Sequence, residues 1–303
     1  MCRDNEALPS VSLENCRIIG YGATSSVYLM ENGRVCKLYN PEFSPADAER
    51  DNRMAESAWQ LGIRVPKPYG MVKAGSRIGV IREYGGGSSL AAILKEDPAR
   101  YLDYLPVYVE ELRRFHETKA CSDAFVPAKD LYLEKLDRLH GTHWYAEEEL
   151  QKLEALVRSV PDRDTLVYGD YHPNNILVQN GEFCFVDLGD ICLGHPIFDF
   201  SMIANTHFII PTVNPSYAEK YFTVPAERML GLWEDLFRMS FSVSTAEEQA
   251  RIRKQILAFA VLRQGLSPAD GRVFPEQILQ ANTAAVKKRL LPDIDRIIGS
   301  VDW

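Results

Sequence analysis

Three consecutive glycines at positions 85–87 divide this 303-residue sequence into two parts with different hydrophobic periodicity. The part before them alternates apolar and polar residues in stretches typical of strands, at 16–39, 68–73 and 77–83. The part after them is mostly of helical periodicity, interrupted over 166–187 by short apolar runs between polar turns. Since a glycine triplet costs backbone order, it marks a bend or hinge. The sequence therefore predicts an α+β, two-lobed fold, with a small strand-rich lobe over 1–84 and a larger helical lobe over 85–303.

The first predicted helix, over 44–62, has a signal at each end. Ser44 can cap it, Pro45 fits the first helical position, and Asp47 completes a capping-box spacing. Gly62 is a typical residue to end it. Further helices are predicted beyond the glycine triplet, at 89–96, 101–117, 129–139 and 145–159, and again between 199 and 299.

Composition argues against several classes of protein. The formal net charge of −8 disfavours binding to DNA or RNA through bulk charge. No apolar run approaches the ~20 residues of a membrane span, and the first residues lack the apolar stretch of a signal peptide. The six cysteines form no CxxC pair, which favours reduced thiols over a disulfide framework. We therefore expect a cytoplasmic protein with no nucleic-acid or membrane partner, while the sequence leaves its oligomeric state open.

Acidic residues are concentrated in the segment 166–199 without compensating bases. This segment holds five acidic residues and no Lys or Arg. Such a segment is either a solvated loop or a site for a cation, and the motifs within it favour the cation site. The five acidic residues are Asp170, Glu182, Asp187, Asp190 and Asp199.

Four motifs follow one another in an order typical of phosphoryl transfer. The first two lie in the strand-rich part and read Gly20-Tyr-Gly-Ala-Thr-Ser-Ser-Val27 and Val35-Cys-Lys37. Glycines let a backbone approach phosphates closely, although the first motif alone is equally consistent with a plain turn. A Lys on an apolar strand is explained by pairing with phosphate oxygens or by snorkelling to solvent.

The other two motifs are Tyr168-Gly-Asp170-Tyr-His-Pro-Asn-Asn175 and Phe185-Val-Asp187-Leu-Gly189. They supply an Asp, an Asn five residues later, and a second Asp after a further strand. Phosphoryl transfer needs a carboxylate that orients the attacking hydroxyl and accepts its proton, together with oxygen ligands for Mg²⁺. The four motifs in this order predict a kinase-type active site.

On these motifs the sequence, from Gly20 to Asp199, resembles the aminoglycoside phosphotransferase and choline kinase branch of the protein-kinase-like superfamily. The resemblance implies an ATP- and Mg²⁺-dependent phosphotransferase that acts on the hydroxyl of a small molecule. It implies that Asp170 is the catalytic base or orienting carboxylate, and that Asn175 and Asp187 hold Mg²⁺.

The resemblance also implies a nucleotide site in the strand-rich part. Lys37 would contact the α- and β-phosphates, and residues 83–85 would offer backbone hydrogen bonds to the adenine. Ser25 stands where a third glycine occurs elsewhere in the superfamily, a replacement common in this branch. The preference between ATP and GTP stays open. The implied nucleotide-binding positions are Gly20, Gly22, Ser25, Val27, Lys37, Glu83 and Tyr84.

Five residues near the catalytic loop have implied or open roles. Asp199 matches an Asp that braces this loop from the start of a helix, and His116 is expected to be structural. Tyr168 occupies a packing position at which the family usually has His. His172 is expected to form hydrogen bonds within the loop, in preference to a catalytic role. Asp190 either assists at the metal site or is solvated.

An acidic residue of the first helix is expected to pair with Lys37. The candidates are Glu49, Asp51 and Glu56. At 100° per residue, Asp51 shares the apolar face of the helix, whereas the two Glu residues lie roughly 140–160° away, toward solvent. Helical geometry therefore predicts Asp51, although its side chain is one methylene shorter than the usual Glu.

Val27 and Lys37 must share a face of the sheet if one packs on the base and the other reaches the phosphates. A two-residue turn at Asn32-Gly33 would put them on opposite faces, because strand residues alternate and opposed residues share a face. A three-residue loop over 31–33 pairs them directly. We therefore predict the three-residue loop, with Gly33 at positive φ.

Two other functions compete with a small-molecule kinase. A protein kinase needs a long peptide-binding segment after its Asp-x-Gly motif, but only 11 residues separate Asp187 from Asp199. An inactive nucleotide-binding module usually lacks the Lys, the catalytic Asp or the metal-binding Asp, and this chain keeps all three. The acceptor stays open among aminoglycosides, amino alcohols and sugars. Residues that either bind an amine or are ordinary helix surface are Trp144, Tyr145, Glu147 to Glu149, Trp233, Glu234 and Asp235.

Overall fold

The computed structural model describes residues 8–21, 25–121, 123–270 and 274–303. The chain forms two compact units, and each unit is made of two stretches of sequence. We call them the N-terminal unit, residues 1–89 and 175–189, and the helical unit, residues 90–174 and 190–303. The N-terminal unit also includes the hairpin over 175–189, so the two units do not correspond to a single division of the sequence. The lobe boundary expected after residue 84 stays a prediction.

A five-stranded antiparallel sheet is the main element of the N-terminal unit. Its strands have the order β1-β2-β3-β5-β4. The strands predicted at 16–39, 68–73 and 77–83 are confirmed. They are β1 (Arg17–Tyr21), β2 (Ser25–Leu29), β3 (Arg34–Tyr39), β4 (Pro68–Ala74) and β5 (Arg77–Glu83).

Helix α1 (Pro45–Gln60) begins and ends as its sequence predicts. The Oγ of Ser44 accepts a hydrogen bond from the N–H of Asp47 at 3.3 Å, and the Asp47 carboxylate accepts one from the N–H of Ser44 at 3.0 Å. These two bonds satisfy backbone donors that the helix start would otherwise leave unpaired. Gly62 follows the helix end at a φ of 79°.

The two faces of the sheet pack against different parts of the chain. Side chains of β3 alternate between the faces, so neighbouring residues join different apolar clusters. One face packs against α1, through Tyr39, Val80 and Ala48. The other face contacts the segment that precedes β1, through Cys36, Leu38, Val72 and Ile81 against Val11 and Leu13.

A second, smaller sheet completes the N-terminal unit. It contains β6 (Ser88–Ser89), β8 (Ile176–Gln179) and β9 (Glu182–Phe185), in the order β6-β8-β9. Gly87, in the glycine triplet, lies so close to β8 that a Cβ there would be 2.1 Å from the carbonyl oxygen of Val178. The last glycine of the triplet therefore allows a close approach of two backbones inside this unit.

The core of the helical unit is rich in large aromatic side chains. Fully buried examples are Tyr108, Phe115, Phe198, Trp233 and Phe259. Helix α6 packs against α10, and α3 packs against α9. No helix in the described part of the chain is long and apolar enough to cross a membrane. The helices are α2 (Leu90–Glu96), α3 (Tyr101–Glu117), α4 (Ala128–Asp137), α5 (Glu147–Arg158), α6 (Ile197–Ala204), α7 (Ile210–Val213), α8 (Pro215–Phe222), α9 (Ala226–Ser240), α10 (Ala246–Gly265) and α11 (Glu276–Ala285).

A short antiparallel pair, β7 (Leu166–Val167) and β10 (Cys192–Leu193), lies among these helices. The motif that runs from Tyr168 to Asn175 begins directly after β7, and α6 begins shortly after β10. The pairing therefore holds the start of that loop next to the chain that leads into α6. All four helices predicted between 89 and 159 are found within two residues of their expected bounds.

Candidate active site

Strands β2 and β3 present Val27 and Lys37 directly opposite each other on one face of the sheet. At the turn, the N–H of Met30 donates to the carbonyl of Arg34 at 2.8 Å, which closes a three-residue loop. Gly33 has a φ of 72°. The predicted loop and strand register are therefore confirmed.

The ammonium group of Lys37 lies between two carboxylates of the N-terminal unit. Its Nζ is 3.4 Å from Oδ2 of Asp51 and 3.0 Å from Oδ1 of Asp187. The predicted pairing with Asp51 is confirmed. Glu49 is exposed, and Glu56 instead accepts a hydrogen bond from a neighbouring residue of α1 at 2.8 Å.

Asp51 has two further partners, both buried. Nη2 of Arg82 lies 2.9 Å from its Oδ2, and the hydroxyl of Tyr39 donates a hydrogen bond to the same oxygen. Burial alone raises the pKa of Asp51, but Arg82 and Lys37 outweigh it and lower that pKa to about 2. Burial and the neighbouring Asp51 raise the pKa of Tyr39. Asp51 is therefore an ionised carboxylate shared by two cations and a phenol.

Arg82 was missed by reasoning from the sequence alone. It lies on β5 opposite Val35, and so on the same face of the sheet as Lys37. The sequence signal that could have found it is its position two residues after Val80, which puts it on the same face of the strand as that apolar residue. A cation on a buried face needs a buried anion as its partner. Asp51, the acid already expected on that face, is that anion.

The glycine-rich motif is described only in part. Gly20 lies in β1 opposite Val27, next to an irregularity in the strand pairing. Ser25 is buried at the start of β2 and pairs with Tyr39 on β3. Gly22 lies outside the described residues.

Glu83 is the last residue of β5, Tyr84 follows it, and both are exposed. The N–H of Glu83 donates to the carbonyl of Lys67 at 2.8 Å. A base bound here would therefore use the carbonyl of Glu83 and the backbone of the next residues. The adenine-binding role of 83–85 stays a prediction.

Asn175 and Asp187 lie at the same end of the β8–β9 hairpin. The N–H of Val186 donates to the carbonyl of Asn175 at 3.0 Å and ties the two segments together. Asp187 has a φ of 58°, in the left-handed region that non-glycine residues rarely adopt. Its side chain remains 56% exposed beside Lys37. A carboxylate and an amide thus occur together where hard oxygen ligands were predicted.

In the helical unit, Asp170 follows a loop held by aromatic packing. Tyr168 is fully buried, and its ring packs edge-on against Phe115 and Tyr171. Nε2 of His172 lies 3.3 Å from Oδ2 of Asp170. His172 is thus in contact with the predicted catalytic carboxylate, and its role stays a prediction.

Asp199, at the start of α6, holds the backbone of this loop. Its carboxylate accepts hydrogen bonds from the N–H groups of Tyr168 at 2.9 Å and Gly169 at 2.7 Å. Nε2 of His116 lies 2.9 Å from its Oδ2. The brace expected from Asp199 is present, and His116 acts by supporting that brace.

The acids of the segment 166–199 are compensated in space although not in sequence. Four of them have a cationic or His partner within 3.3 Å, contributed by a different part of the chain in three cases. Asp190, the fifth, interacts electrostatically with Arg263. The four pairs are Asp170 with His172, Glu182 with Arg64, Asp187 with Lys37, and Asp199 with His116.

Most of the residues considered for amine binding have structural contacts. Trp233 is fully buried, and Tyr145 is buried with its hydroxyl donating to the carbonyl of Gly265 at 2.9 Å. The acidic candidates of α5 and α9 mostly form ion pairs. These pairs are Glu147 with His140, Glu149 with Lys287, Glu234 with Arg253, and Asp235 with Arg238. The ordinary-helix interpretation therefore accounts for most of this set.

A strand-rich unit with a Lys between two carboxylates, and a helical unit with a braced Asp loop, define a kinase-like class of phosphotransferase. The chain belongs to the phosphotransferase enzyme family, whose model matches residues 15–233. No curated protein matches the chain in sequence.

Solved structures of aminoglycoside phosphotransferases share the fold. ADP-bound APH(2'')-Ib is 16% identical, with a TM-score of 0.55 over 91% of this chain and 93% of that one. APH(4)-Ia is 15% identical, with a TM-score of 0.60 over 96% and 95% of the two chains. A thermostable APH(4)-Ia mutant with ADP and hygromycin B is 13% identical, with a TM-score of 0.59 over 96% and 95%. The predicted two-lobed, protein-kinase-like α+β fold is confirmed.

Proposed function

We propose that this protein is an ATP- and Mg²⁺-dependent phosphotransferase that moves the γ-phosphoryl group to a hydroxyl of a small molecule. The observation that carries the proposal is the ion pair between Lys37 and Asp187. It joins two of the four motifs, which are far apart in sequence. Family membership supports the same reaction type.

In this proposal the face of the sheet around Lys37 binds the nucleotide. Val27 packs on the base, Lys37 contacts the α- and β-phosphates, and Asp51 with Arg82 keeps the Lys37 side chain oriented. The solved relatives include complexes with ADP, ATP and AMP-PNP, which supports ATP as the donor.

Asn175 and Asp187 fit a magnesium site. Mg²⁺ is usually held by one or two protein oxygen ligands together with phosphate oxygens and waters, so a carboxylate and an amide suffice. The Asp187 carboxylate is exposed enough to bind an ion from solvent. When bound, Mg²⁺ neutralises charge on the phosphates. Lys37, 3.0 Å from the Asp187 carboxylate, would supply a second positive charge to the phosphates.

Asp170 is proposed to orient the acceptor hydroxyl and accept its proton. The backbone before it is fixed by Asp199, which limits the positions its carboxylate can adopt. Nε2 of His172, 3.3 Å from Oδ2 of Asp170, helps to orient the carboxylate toward the acceptor hydroxyl. The proton moves from that hydroxyl to Asp170 as the phosphoryl group is transferred.

The acceptor is proposed to be a small molecule such as an aminoglycoside, an amino alcohol or a sugar. The 11 residues between Asp187 and Asp199 contain β10 and the start of α6, which leaves little chain for docking a peptide. Solved relatives are complexes with streptomycin, gentamicin or hygromycin B, which supports an acceptor of that size. We also infer a cytoplasmic location, in keeping with the free thiols of the five described cysteines.

A screen of ADP release tests the proposal. The purified chain is mixed with MgATP or MgGTP and a panel of aminoglycosides, amino alcohols and sugars, with thermal shift as a parallel readout of binding. We expect acceptor-dependent ADP release that EDTA abolishes. We also expect Asp187→Ala to remove the Mg²⁺ dependence of ADP binding in calorimetry. Nucleotide binding without turnover for any acceptor would identify an inactive module, and site-specific phosphorylation of a folded protein would contradict the small-molecule assignment.

A further inference from the structure

Arg263, near the end of α10, contacts the loop that carries Asp170. Its Nη2 donates to the carbonyl oxygen of Gly169 at 3.0 Å, and its Nη1 donates to the hydroxyl of Tyr132 at 3.4 Å. Arg263 lies outside the four motifs and beyond residues 15–233, which the family model matches. The planar guanidinium suits this arrangement, because it can donate to two acceptors in fixed directions at once.

The peptide units of Gly169 are held from both sides. Its N–H donates to Asp199 at 2.7 Å, and its carbonyl accepts from Arg263 at 3.0 Å. Gly169 has a φ of 83°, and a Cβ there would lie 2.3 Å from the carbonyl oxygen of Asp190. Only glycine fits this position, so side-chain contacts cannot hold it and polar contacts to its backbone must. The next residue is Asp170.

Arg263 also supplies positive charge to an acidic segment that has no Lys or Arg of its own. Burial alone lowers the pKa of Arg263, but Tyr132, Asp190 and Asp170 together raise it, so the guanidinium remains charged. Its charge therefore acts on both acids that flank Gly169 in space.

We propose that Arg263 is a positioning residue for Asp170: by holding the Gly169 carbonyl opposite the Asp199 brace, it fixes the direction in which the catalytic carboxylate points. The inference rests on the proposed function, because it gives Asp170 the catalytic role. A positioning residue changes the rate of the chemical step, since a small misplacement of a reacting group is costly. A residue that only stabilises the fold would change the melting temperature and leave kcat of the folded protein intact.

Arg263→Met and Arg263→Lys test the proposal, with Arg253→Met as the matched control. Arg253 is on the same helix but forms an ion pair with Glu234 at 2.7 and 2.8 Å, away from the loop. The assay measures ADP release from MgATP with water as the acceptor, together with calorimetric binding of MgADP. We expect Arg263→Met to lower kcat by about 10- to 100-fold. KM for MgATP and the Kd of MgADP should stay within about twofold, because the nucleotide contacts remain.

Arg263→Lys should recover part of the lost kcat, because an ammonium keeps the charge but cannot reach both acceptors in the same geometry. Hydrogen exchange gives a readout that does not depend on turnover. The amides of Gly169 to Tyr171 should exchange faster in both Arg263 variants and at the wild-type rate in Arg253→Met.

Three results would overturn the inference. The first is wild-type kcat in Arg263→Met, or in Arg263→Lys should the Met variant fail to fold. The second is unchanged exchange at Gly169 to Tyr171 in the folded variant. The third is a wild-type protein that binds MgADP but releases no ADP from MgATP with water or any acceptor of the panel. That third result refutes the proposed function itself. It differs from the first two because it is a lack of ADP release by the wild-type protein, whereas the first two concern only the Arg263 variants.

Discussion

Lys37 and Asp187 form an ion pair of 3.0 Å across 150 positions of sequence. We expect Lys37→Met to lower turnover by about 10²–10³-fold, because it removes a fixed positive charge from the proposed phosphate site. The fold should persist, since Arg82 still neutralises Asp51. ADP release and calorimetric binding of MgADP measure the two effects. Lys73→Met, an exposed position on β4, is the control. An equal loss in both variants would contradict a specific role for Lys37.

Asp170→Asn keeps the size of the side chain and removes its ability to accept a proton. We expect kcat to fall by about 10²–10⁴-fold, the usual contribution of a general base. Binding of MgADP should be unchanged, because the proposed nucleotide contacts belong to other residues. Asp137→Asn, at an exposed position near the end of α4, should behave as wild type. Near-normal turnover of Asp170→Asn with its best acceptor would remove Asp170 from the mechanism.

Asp51 links stability to acid pH. Its pKa is lowered to about 2 in the folded protein, from 3.8 for an ordinary Asp, because Arg82 and Lys37 outweigh the effect of burial. The unfolded chain therefore binds the proton first. The stabilising contribution is fully present above pH ~4 and is lost as the pH falls toward 2.

Asp51→Asn should therefore lose about 3–5 kcal/mol of unfolding free energy at pH 7, because it leaves the buried guanidinium of Arg82 without its carboxylate partner. It should also show a flatter decline between pH 4 and pH 2 than wild type. Urea unfolding at stepped pH measures both effects, with Glu49→Gln on the exposed side of α1 as the control. A variant with wild-type stability at pH 7 would show that Arg82 and Lys37 do not depend on this carboxylate.

Two buried histidines make the helical unit sensitive to mildly acidic pH. Burial lowers the pKa of His207 to about 3 and that of His195 to about 4. Both stay neutral in the folded protein while the unfolded chain takes up protons below its ordinary pKa of 6.5. Stability should fall from pH 6.5 downward, by about 1.4 kcal/mol per pH unit for each histidine. His207→Gln should remove about half of that slope in urea unfolding, and His143→Gln, at an exposed position, should not.

The loop between β2 and β3 allows a test of backbone conformation alone. Gly33 has a φ of 72°, and a Cβ added there would have no heavy atom within 4 Å among the described residues. Gly33→Ala should therefore cost about 1 kcal/mol, all of it from the left-handed conformation, and Gly33→Asn should cost less. Gly231→Ala, inside α9 and also free of close contacts, should instead stabilise by up to about 1 kcal/mol. Equal effects at the two glycines in urea unfolding would contradict this explanation.

Local rules predicted those elements whose ends and faces depend on nearby residues. Ser44, Asp47 and Gly62 were sufficient to place α1, and its helical face was sufficient to select Asp51. The dipeptide Asn-Gly shows that local rules alone do not predict the length of a hairpin loop. At Asn180-Gly181 both residues have positive φ and close the two-residue hairpin of β8 and β9. At positions 32 and 33 the same dipeptide lies in a three-residue loop, which was predicted only because Val27 and Lys37 had to share a face of the sheet.

Contacts contributed by distant segments could not be predicted in this way. Arg82 and Arg263 have no motif of their own, and each is recognised only once the chain brings it to a carboxylate or a loop carbonyl. The two interpretations of the amine-binding candidates could not be separated for the same reason. Glu234 and Asp235 have the chemistry of a ligand site, but their charges are already neutralised by Arg253 and Arg238.

The hairpin over 175–189 makes each compact unit discontinuous in sequence. A fragment that stops at Ser89 would contain the five-stranded sheet but lack the two strands that pair beside β6, and with them Asp187. Neither unit can therefore be expressed as a single stretch of polypeptide. Tyr171 and His172, which follow Asp170, are buried, so a deletion or insertion between Asp170 and Asn175 should be tolerated far less than one in the exposed loops elsewhere. The chain is thus poorly suited to exchanging one half with a relative by simple recombination.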